Sequence, residues 1–137
     1  MRKFAIILPM LLLLAAQVAM AQAAEDRARF AAEQWIVLVD DGQYNQSWKE
    51  ADKIFQDLIP ADEWQKKASA ERAQLGARQS RKLKDIKATN AVKGLPNGQY
   101  YQVKYQSSYE NKKQAVETIV ATLDSDGTWR VVSYTVN

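Results

Sequence analysis

The chain has 137 residues, of which 19 are lysine or arginine and 16 are aspartate or glutamate, and it contains neither histidine nor cysteine. Disulfides, thiolate or imidazole metal sites and the Ser-His-Asp and Cys-His catalytic constellations are therefore excluded. A general base in this chain has to be a carboxylate, a tyrosine or a lysine. Because the sequence has no glycine-rich phosphate loop, we expect no cofactor.

The first predicted element is an N-terminal signal peptide. Arg2 and Lys3 precede an almost purely apolar run at positions 4–16, and Ala19-Met20-Ala21 supplies the small-x-small pattern of a cleavage site. We therefore expect cleavage after Ala21, which removes residues 1–21; position 24 is the latest alternative. The product is expected to be periplasmic or secreted.

The alternative to cleavage is a membrane anchor. Positions 4–24 carry no charge, and about 20 apolar residues are enough to cross a bilayer. Pro9 and Gln17 interrupt this stretch, so we favour cleavage and expect no stable membrane anchor afterwards. Cleavage leaves a single domain of residues 25–137, in which 17 basic residues stand against 16 acidic ones. Because this net charge is close to zero, we expect no nucleic-acid partner.

Three helices are predicted before Gly76, because apolar residues there recur at intervals of three and four. The first ends at Asp41-Gly42, where Gly42 is expected as a left-handed cap. The second opens with Ser47 and Glu50, which fit a capping box, and the third follows the break at Ile59-Pro60. The residues predicted to face the core are Ala28, Ala31, Trp35 and Leu38 in the first helix, Trp48, Ala51, Phe55 and Leu58 in the second, and Trp64, Ala68 and Leu75 in the third.

Four strands are predicted after Gly76, because apolar and polar residues there alternate. Turn residues separate the first two strands at Leu95-Pro96-Asn97-Gly98 and the last two at Asp124-Ser125-Asp126-Gly127. The short connections predict an antiparallel meander, and helices that cover one of its faces make the fold class α+β. The predicted strands span residues 81–92, 99–109, 115–123 and 128–136. In the second strand, Tyr100 is expected on the polar face, and the opposite, inner face carries Tyr101, Val103, Tyr105, Ser107 and Tyr109. In the third strand, Leu123 is expected in the core.

Short blocks of residues follow one another along the chain in a recognisable order. They are Trp35, Leu38-Val39-Asp40, Gly42, Tyr44, Ser47-Trp48, Arg72, Leu75-Gly76, Ser80-Arg81, Gly98, Tyr100, Tyr105, Ser107, Tyr109, Ala115-Val116-Glu117-Thr118, Asp126-Gly127, Trp129-Arg130-Val131 and Tyr134. This order resembles the domain of unknown function 4019 family of small exported bacterial proteins. Tyr105 and Tyr109 depart from the family pattern, in which we expect phenylalanine.

The resemblance implies a location and a fold but no established activity. The implied location is outside the cytoplasm. The implied fold is nuclear-transport-factor-2-like or cystatin-like, with three N-terminal helices packed on a curved, cone-like sheet of four antiparallel strands.

Glu117 is the residue that the strand pattern singles out as a candidate for function. It shares one face of the third predicted strand with apolar residues only, and a buried carboxylate is costly unless it is paired. Arg72 and Arg81 flank the helix-to-sheet junction, and either guanidinium can hold a carboxylate in a bidentate pair.

Two interpretations of Glu117 remain open at this point. In one, the carboxylate and its arginine form a salt bridge that stabilises the fold. In the other, they form the floor of a ligand pocket with the binding residues Glu117, Arg72, Arg81, Tyr101 and Tyr105.

We expect a non-enzymatic envelope protein that binds a small ligand or another envelope protein. The alternative is a small cone-fold enzyme of the isomerase or dehydratase type, with Glu117 as general base and tyrosine hydroxyls as hydrogen-bond donors. A third interpretation is a structural subunit that associates through an exposed sheet face.

Overall fold

The computed structural model of the chain describes residues 7–137, and in this part of the chain four helices precede one four-stranded sheet. The predicted α+β class is therefore confirmed. Arg2 and Lys3, the charged start of the predicted signal peptide, lie outside the described residues. The elements are α1 (Ile7–Asp40), α2 (Tyr44–Glu50), α3 (Lys53–Leu58), α4 (Ala61–Leu75), β1 (Arg78–Thr89), β2 (Tyr100–Tyr109), β3 (Lys112–Leu123) and β4 (Trp129–Val136).

Helix α1 begins in the apolar N-terminal segment and continues into the domain. Its buried stripe differs from the predicted one by about one residue, because Ala31 and Leu38 are only half-buried. The stripe that meets the rest of the domain is Ala28, Ala32, Trp35, Ile36 and Val39. No helix in the described part of the chain is both long and apolar enough to span a membrane.

The predicted end of α1 is confirmed. Gly42 adopts a φ of 75°, a left-handed conformation that glycine adopts without steric cost. The Gln43 N–H donates to the Leu38 carbonyl at 2.8 Å and the Gly42 N–H to the Val39 carbonyl at 3.1 Å. These two bonds form a Schellman cap.

The second predicted helix is in fact two short helices, α2 and α3. The capping-box prediction is wrong, because α2 begins at Tyr44 and the Ser47 hydroxyl donates back to the Tyr44 carbonyl at 2.6 Å. The chain is extended at Asp52, whose side chain accepts the Ile54 N–H and so caps α3. Leu58, at the end of α3, was expected in the core but is 61% exposed.

Helix α4 begins and ends as predicted. Asp62 and Glu63 lie in its first turn, where carboxylates interact favourably with the helix dipole. Gly76 follows the helix with a φ of 75°, and a side chain there would approach Glu110 to 2.9 Å. The predicted inward-facing residues Trp64, Ala68 and Leu75 are buried.

The strands form the predicted antiparallel meander in the order β1-β2-β3-β4. Strand β1 starts three residues before its predicted start, because pairing with β2 begins directly after Gly76, at Arg78 and Tyr109. Register shifts interrupt β1 between Leu83 and Asp85 and the β3–β4 pair between Val120 and Ala121, and such bulges increase the local twist. The cone that the resemblance implies stays a prediction.

An aromatic core fills the space between the helices and the sheet. The Trp64 ring lies 5.9 Å from Trp35 and 5.0 Å from Phe55 between centroids. Both indole groups donate to Ser47, Trp35 to its carbonyl at 2.8 Å and Trp64 to its hydroxyl at 2.9 Å. Trp48 is half-buried at the edge of this core and donates to a backbone carbonyl at 2.8 Å.

Two predicted positions in the sheet are wrong. Tyr100 was expected on a polar face but is buried, because Val92, Leu95 and Ile54 cover it together with Val120 and Val132. Leu123 was expected in the core but is 45% exposed, because β3 ends at this residue beside the hairpin turn.

Candidate functional site

Ionised and hydroxyl side chains meet between the helices and the sheet, in what we call the charged cluster. Asp40 is the last residue of α1, and Arg72 lies in the last turn of α4. Arg81 comes from β1, and the remaining members come from β2, β3 and β4. The members are Asp40, Arg72, Arg81, Ser107, Tyr109, Glu117 and Tyr134.

Glu117 is at the centre of the charged cluster and is 0% exposed. Arg81 donates to one carboxylate oxygen through Nε at 2.9 Å and to the other through Nη2 at 3.1 Å, a bidentate pair. Ser107 donates at 2.5 Å, and the Tyr109 and Tyr134 hydroxyls donate at 3.0 and 2.5 Å. Five hydrogen bonds thus converge on a carboxylate that is acceptor-only when ionised.

Asp40 is the second carboxylate of the cluster and joins its two arginines. It accepts from Arg72 Nη1 at 2.7 Å and from Arg81 Nη1 and Nη2 at 2.7 and 3.0 Å. Arg72 also lies 3.8 Å from Glu117, and its guanidinium is 5.5 and 5.9 Å from the centroids of two tyrosine rings. Two carboxylates therefore balance two buried guanidinium groups.

The protonation states follow from burial and hydrogen bonding. Burial raises the pKa of Glu117, but the hydrogen bonds from Arg81, Ser107 and Tyr134 outweigh it, and the net pKa is lowered. Burial also raises the pKa of Asp40, but the hydrogen bonds from Arg81 and Arg72 outweigh it, and the net pKa is lowered. Burial raises the pKa of Tyr134 above its ordinary value, so its hydroxyl keeps its proton. The cluster is therefore a neutral network with ionised carboxylates.

This environment does not suit a general base. A catalytic base needs a pKa near the working pH and reach to a substrate proton. The pKa of Glu117 moves in the opposite direction, and the side chain has no exposed surface.

The structure divides the five predicted binding residues between separate places. Glu117, Arg72 and Arg81 come together in the charged cluster. Tyr105 pairs with Glu117 across the strands, but its hydroxyl donates to Glu33 of α1 at 3.2 Å. Tyr101 lies away from them, against Trp129, with 5.5 Å between the ring centroids.

Sequence reasoning missed Asp40, Ser107, Tyr109 and Tyr134 as members of the cluster. Ser107 and Tyr109 lie on the predicted inner face of β2, so their direction could be predicted, although their partner could not. Asp40 stands just before the Gly42 cap, and nothing in its spacing indicates that it meets β1.

Three clefts that are open to solvent, of about 600, 510 and 380 Å³, surround Trp129, which lines all three. The second and third lie between α1 and the β3–β4 hairpin and share Ala31, Gln34 and Thr128. The largest, which Tyr101 lines, shares only Trp129 with them. Phe30 lines the second cleft. We call these three clefts together the Trp129 groove.

Trp129 differs from the other three tryptophans in its hydrogen bonding. Trp35, Trp48 and Trp64 each donate the indole N–H to a protein oxygen, whereas no acceptor within residues 7–137 pairs with that of Trp129. The ring is half-buried and packs edge-on against Tyr101. Sequence reasoning missed Trp129 as a site residue, since its place after the hairpin turn is equally typical of a structural residue.

The hairpin beside the groove is held by ion pairs, and its turn is confirmed by Gly127, with a φ of 82°. Arg130 contacts Asp124 at 2.5 Å and Asp126 at 2.9 Å. Burial and the nearby Asp124 carboxylate raise the pKa of Asp52 to about 6.

Residues 7–137 contain no group of acidic side chains arranged to hold a metal ion.

A family model described as Protein of unknown function (DUF4019) matches residues 31–134. All seven members of the charged cluster and Trp129 lie within the matched range. No curated protein and no solved structure shows a significant match to the chain.

Proposed function

The chain belongs to the DUF4019 family of proteins of unknown function, and we propose that it is an exported protein that binds a ligand in the Trp129 groove. Stabilisation of the fold and ligand binding, which the sequence pattern did not separate, are thereby assigned to two different places in the structure. The charged cluster stabilises the fold, because its members bond mainly to one another, and Glu117 accepts five hydrogen bonds and has no exposed surface. The Trp129 groove offers the solvent-facing surface that a ligand needs.

The export half of the proposal is supported by where α1 joins the domain. Among residues 10–40 of α1, whose burial is described, residues 10–23 are exposed, Ala24 and Glu25 are half-buried, and Ala28 is the first buried residue. Cleavage after position 21 or 24 therefore leaves the buried stripe of α1 that begins at Ala28 in place, and it removes the exposed 3.4 Å bond from the Tyr101 hydroxyl to the Ala21 carbonyl.

We predict that the protein recovered from the envelope begins between Gln22 and Glu25. The expected result is an intact mass that lacks the N-terminal segment, because Ala19-Met20-Ala21 is a cleavage pattern. Mass spectrometry of the recovered chain measures this directly. A full-length chain that stays with the membrane after alkaline extraction would contradict the prediction and favour the anchor.

The binding half of the proposal is carried by Trp129. Ligand sites are concave, mostly apolar and supplied with a few placed polar groups, and the Trp129 groove has this composition. An indole that packs against another ring is already oriented, so little rotamer freedom is lost on binding. Its unpaired indole N–H can donate a hydrogen bond to a ligand oxygen.

We predict that Trp129→Ala abolishes binding and leaves the fold intact. Ligand-observed NMR with a mixture of sugars, short peptides, fatty acids and aromatic fragments measures binding, and circular dichroism measures folding. Leu58→Ala is the matched control, because Leu58 is also a large exposed apolar residue but lies on α3, outside the three clefts. If no class binds, or if the Trp129 variant binds like the parent, the groove is not a ligand site.

A further inference from the structure

We infer that the ligand of the Trp129 groove is a neutral oligosaccharide. The inference rests on the proposed function, since it names the chemical class that this site takes. Three features of the groove support a sugar, namely its solvent-accessible aromatic rings, its unpaired amide side chains and its mixed charges, and a fourth, its length, supports a chain of sugars.

The aromatic rings match the shape of a sugar. A pyranose ring has flat faces made of C–H groups and a rim of hydroxyl groups. Trp129 and Tyr101 supply apolar ring surface with a polar edge, and their edge-to-face packing at 5.5 Å fixes both planes. Phe30, which is 63% exposed and lines the second cleft, extends this apolar surface along α1.

The amide side chains match the rim of a sugar. Gln34 lines two of the clefts, and Asn90 and Gln99 line the largest. None of these three amide groups hydrogen-bonds to another described residue, whereas the Gln56 amide donates to backbone carbonyls. An amide offers both donors and acceptors, as a ligand with hydroxyl groups requires.

The charges around the groove favour a neutral ligand. Lys49 and Glu50 line one cleft together, and Asp26 and Arg27 line another. Arg130 is already paired with Asp124 and Asp126. Since charges of both signs alternate, no net field attracts an acidic or a basic chain, and the electrostatic groove that single-stranded nucleic acids require is absent from this site.

The dimensions of the groove favour a chain over a single ring. In the two clefts that share residues, the lining residues of α1 run from Asp26 to Trp35, a length of about 14 Å at the rise of an α-helix. The clefts are open to solvent along this line, so an extended oligomer can lie in the groove with its ends free.

The test is an array of neutral oligosaccharides that also carries sialylated and sulfated ones, probed with the protein recovered from the envelope. Calorimetric titration of the strongest neutral hit then compares the parent with four variants. We expect Trp129→Ala to weaken binding at least about tenfold, Gln34→Ala to weaken it less, and Leu58→Ala to leave it unchanged. Trp129→Phe keeps an aromatic ring at this position, so it shows whether the effect of Trp129→Ala comes from a loss of folding.

The outcomes separate the inference from the proposed function. Binding of a neutral oligosaccharide that depends on Trp129 supports both. If Trp129-dependent binding is seen for a sialylated or sulfated sugar on the array, or for a peptide or a fatty acid in the NMR mixture, and no neutral sugar binds, the inference is overturned and the proposed function stands. If nothing binds in a way that depends on Trp129, both are wrong.

Discussion

Replacing Glu117 with glutamine is expected to lower the free energy of unfolding by about 3–5 kcal/mol. The substitution removes the negative charge but keeps the shape of the side chain. Arg72 and Arg81, whose side chains are 13% and 10% exposed, are then left with Asp40 as their one carboxylate, so the cluster carries a net positive charge inside the protein. The amide nitrogen of glutamine cannot accept the hydroxyl donors that point at the carboxylate. Urea denaturation of the parent and the variant measures the difference.

A matched control separates this effect from the loss of any ion pair. Asp57→Asn breaks the pair between Lys53 and Asp57, whose side chains are 82% and 63% exposed, and is expected to cost at most about 0.5 kcal/mol. If Glu117→Gln is as stable as the parent, the charged cluster does not stabilise the fold and the pocket interpretation of Glu117 returns.

The loss should also depend on pH in a defined direction. The pKa of Glu117 is lowered in the folded state, so its contribution is present above the unfolded value near ~4.3 and is lost as pH falls through the folded value. Asp52 acts in the opposite sense, because its pKa is raised to about 6 and its contribution is lost as pH rises through that value. The difference between the parent and Glu117→Gln cancels Asp52 and isolates Glu117.

A double-mutant cycle identifies the partner of Glu117. We expect a coupling of about 0.5–3 kcal/mol with Arg81, which makes two hydrogen bonds to the carboxylate. The coupling with Arg72 should be smaller, because its nearest approach is 3.8 Å and its buried Nε has no hydrogen-bond partner among the described residues.

Truncation of Trp64 to alanine is expected to cost about 3–5 kcal/mol as well. It removes the ring between Trp35 and Phe55 and leaves the buried Ser47 hydroxyl without the indole N–H that it accepts. Trp48→Ala is the comparison, since Trp48 is half-buried at the edge of the core, and its loss should be clearly smaller. Equal losses for the two variants would show that Trp48 of α2 is packed as deeply as Trp64 of α4.

The sequence predicts the layers of this fold better than the boundaries of its elements. Periodicity separates helices from strands at Gly76, and glycine at 42 and 76 predicts where α1 and α4 end, because both ends need a left-handed residue. It does not predict the break at Asp52, since the N–H of that residue bonds to β4, 79 positions away at Val131. It also misplaces Leu58, whose burial depends on that break.

The candidate site shows the same limit. An isolated carboxylate on an apolar strand face predicts that Glu117 has a buried partner, and Arg81 is that partner. Alternation along a strand gives the direction of a side chain but not what lies opposite, so Tyr101 and Tyr105 were grouped with Glu117. Trp129 could not be distinguished from a core tryptophan before its N–H was seen to be unpaired.

The position of the charged cluster has a consequence for the order in which the chain folds. Its bonds join residues that are distant in sequence: Arg81 lies 41 positions from Asp40 and 36 from Glu117, and Arg72 lies 62 from Tyr134. Such contacts form only after long stretches of chain have been brought together, which is entropically slow. We therefore expect the network to form late, when the helices dock on the sheet, and to slow unfolding more than it speeds folding. Variants in it should unfold faster while they refold at nearly the parental rate, so that the lifetime of the folded protein is set at this point.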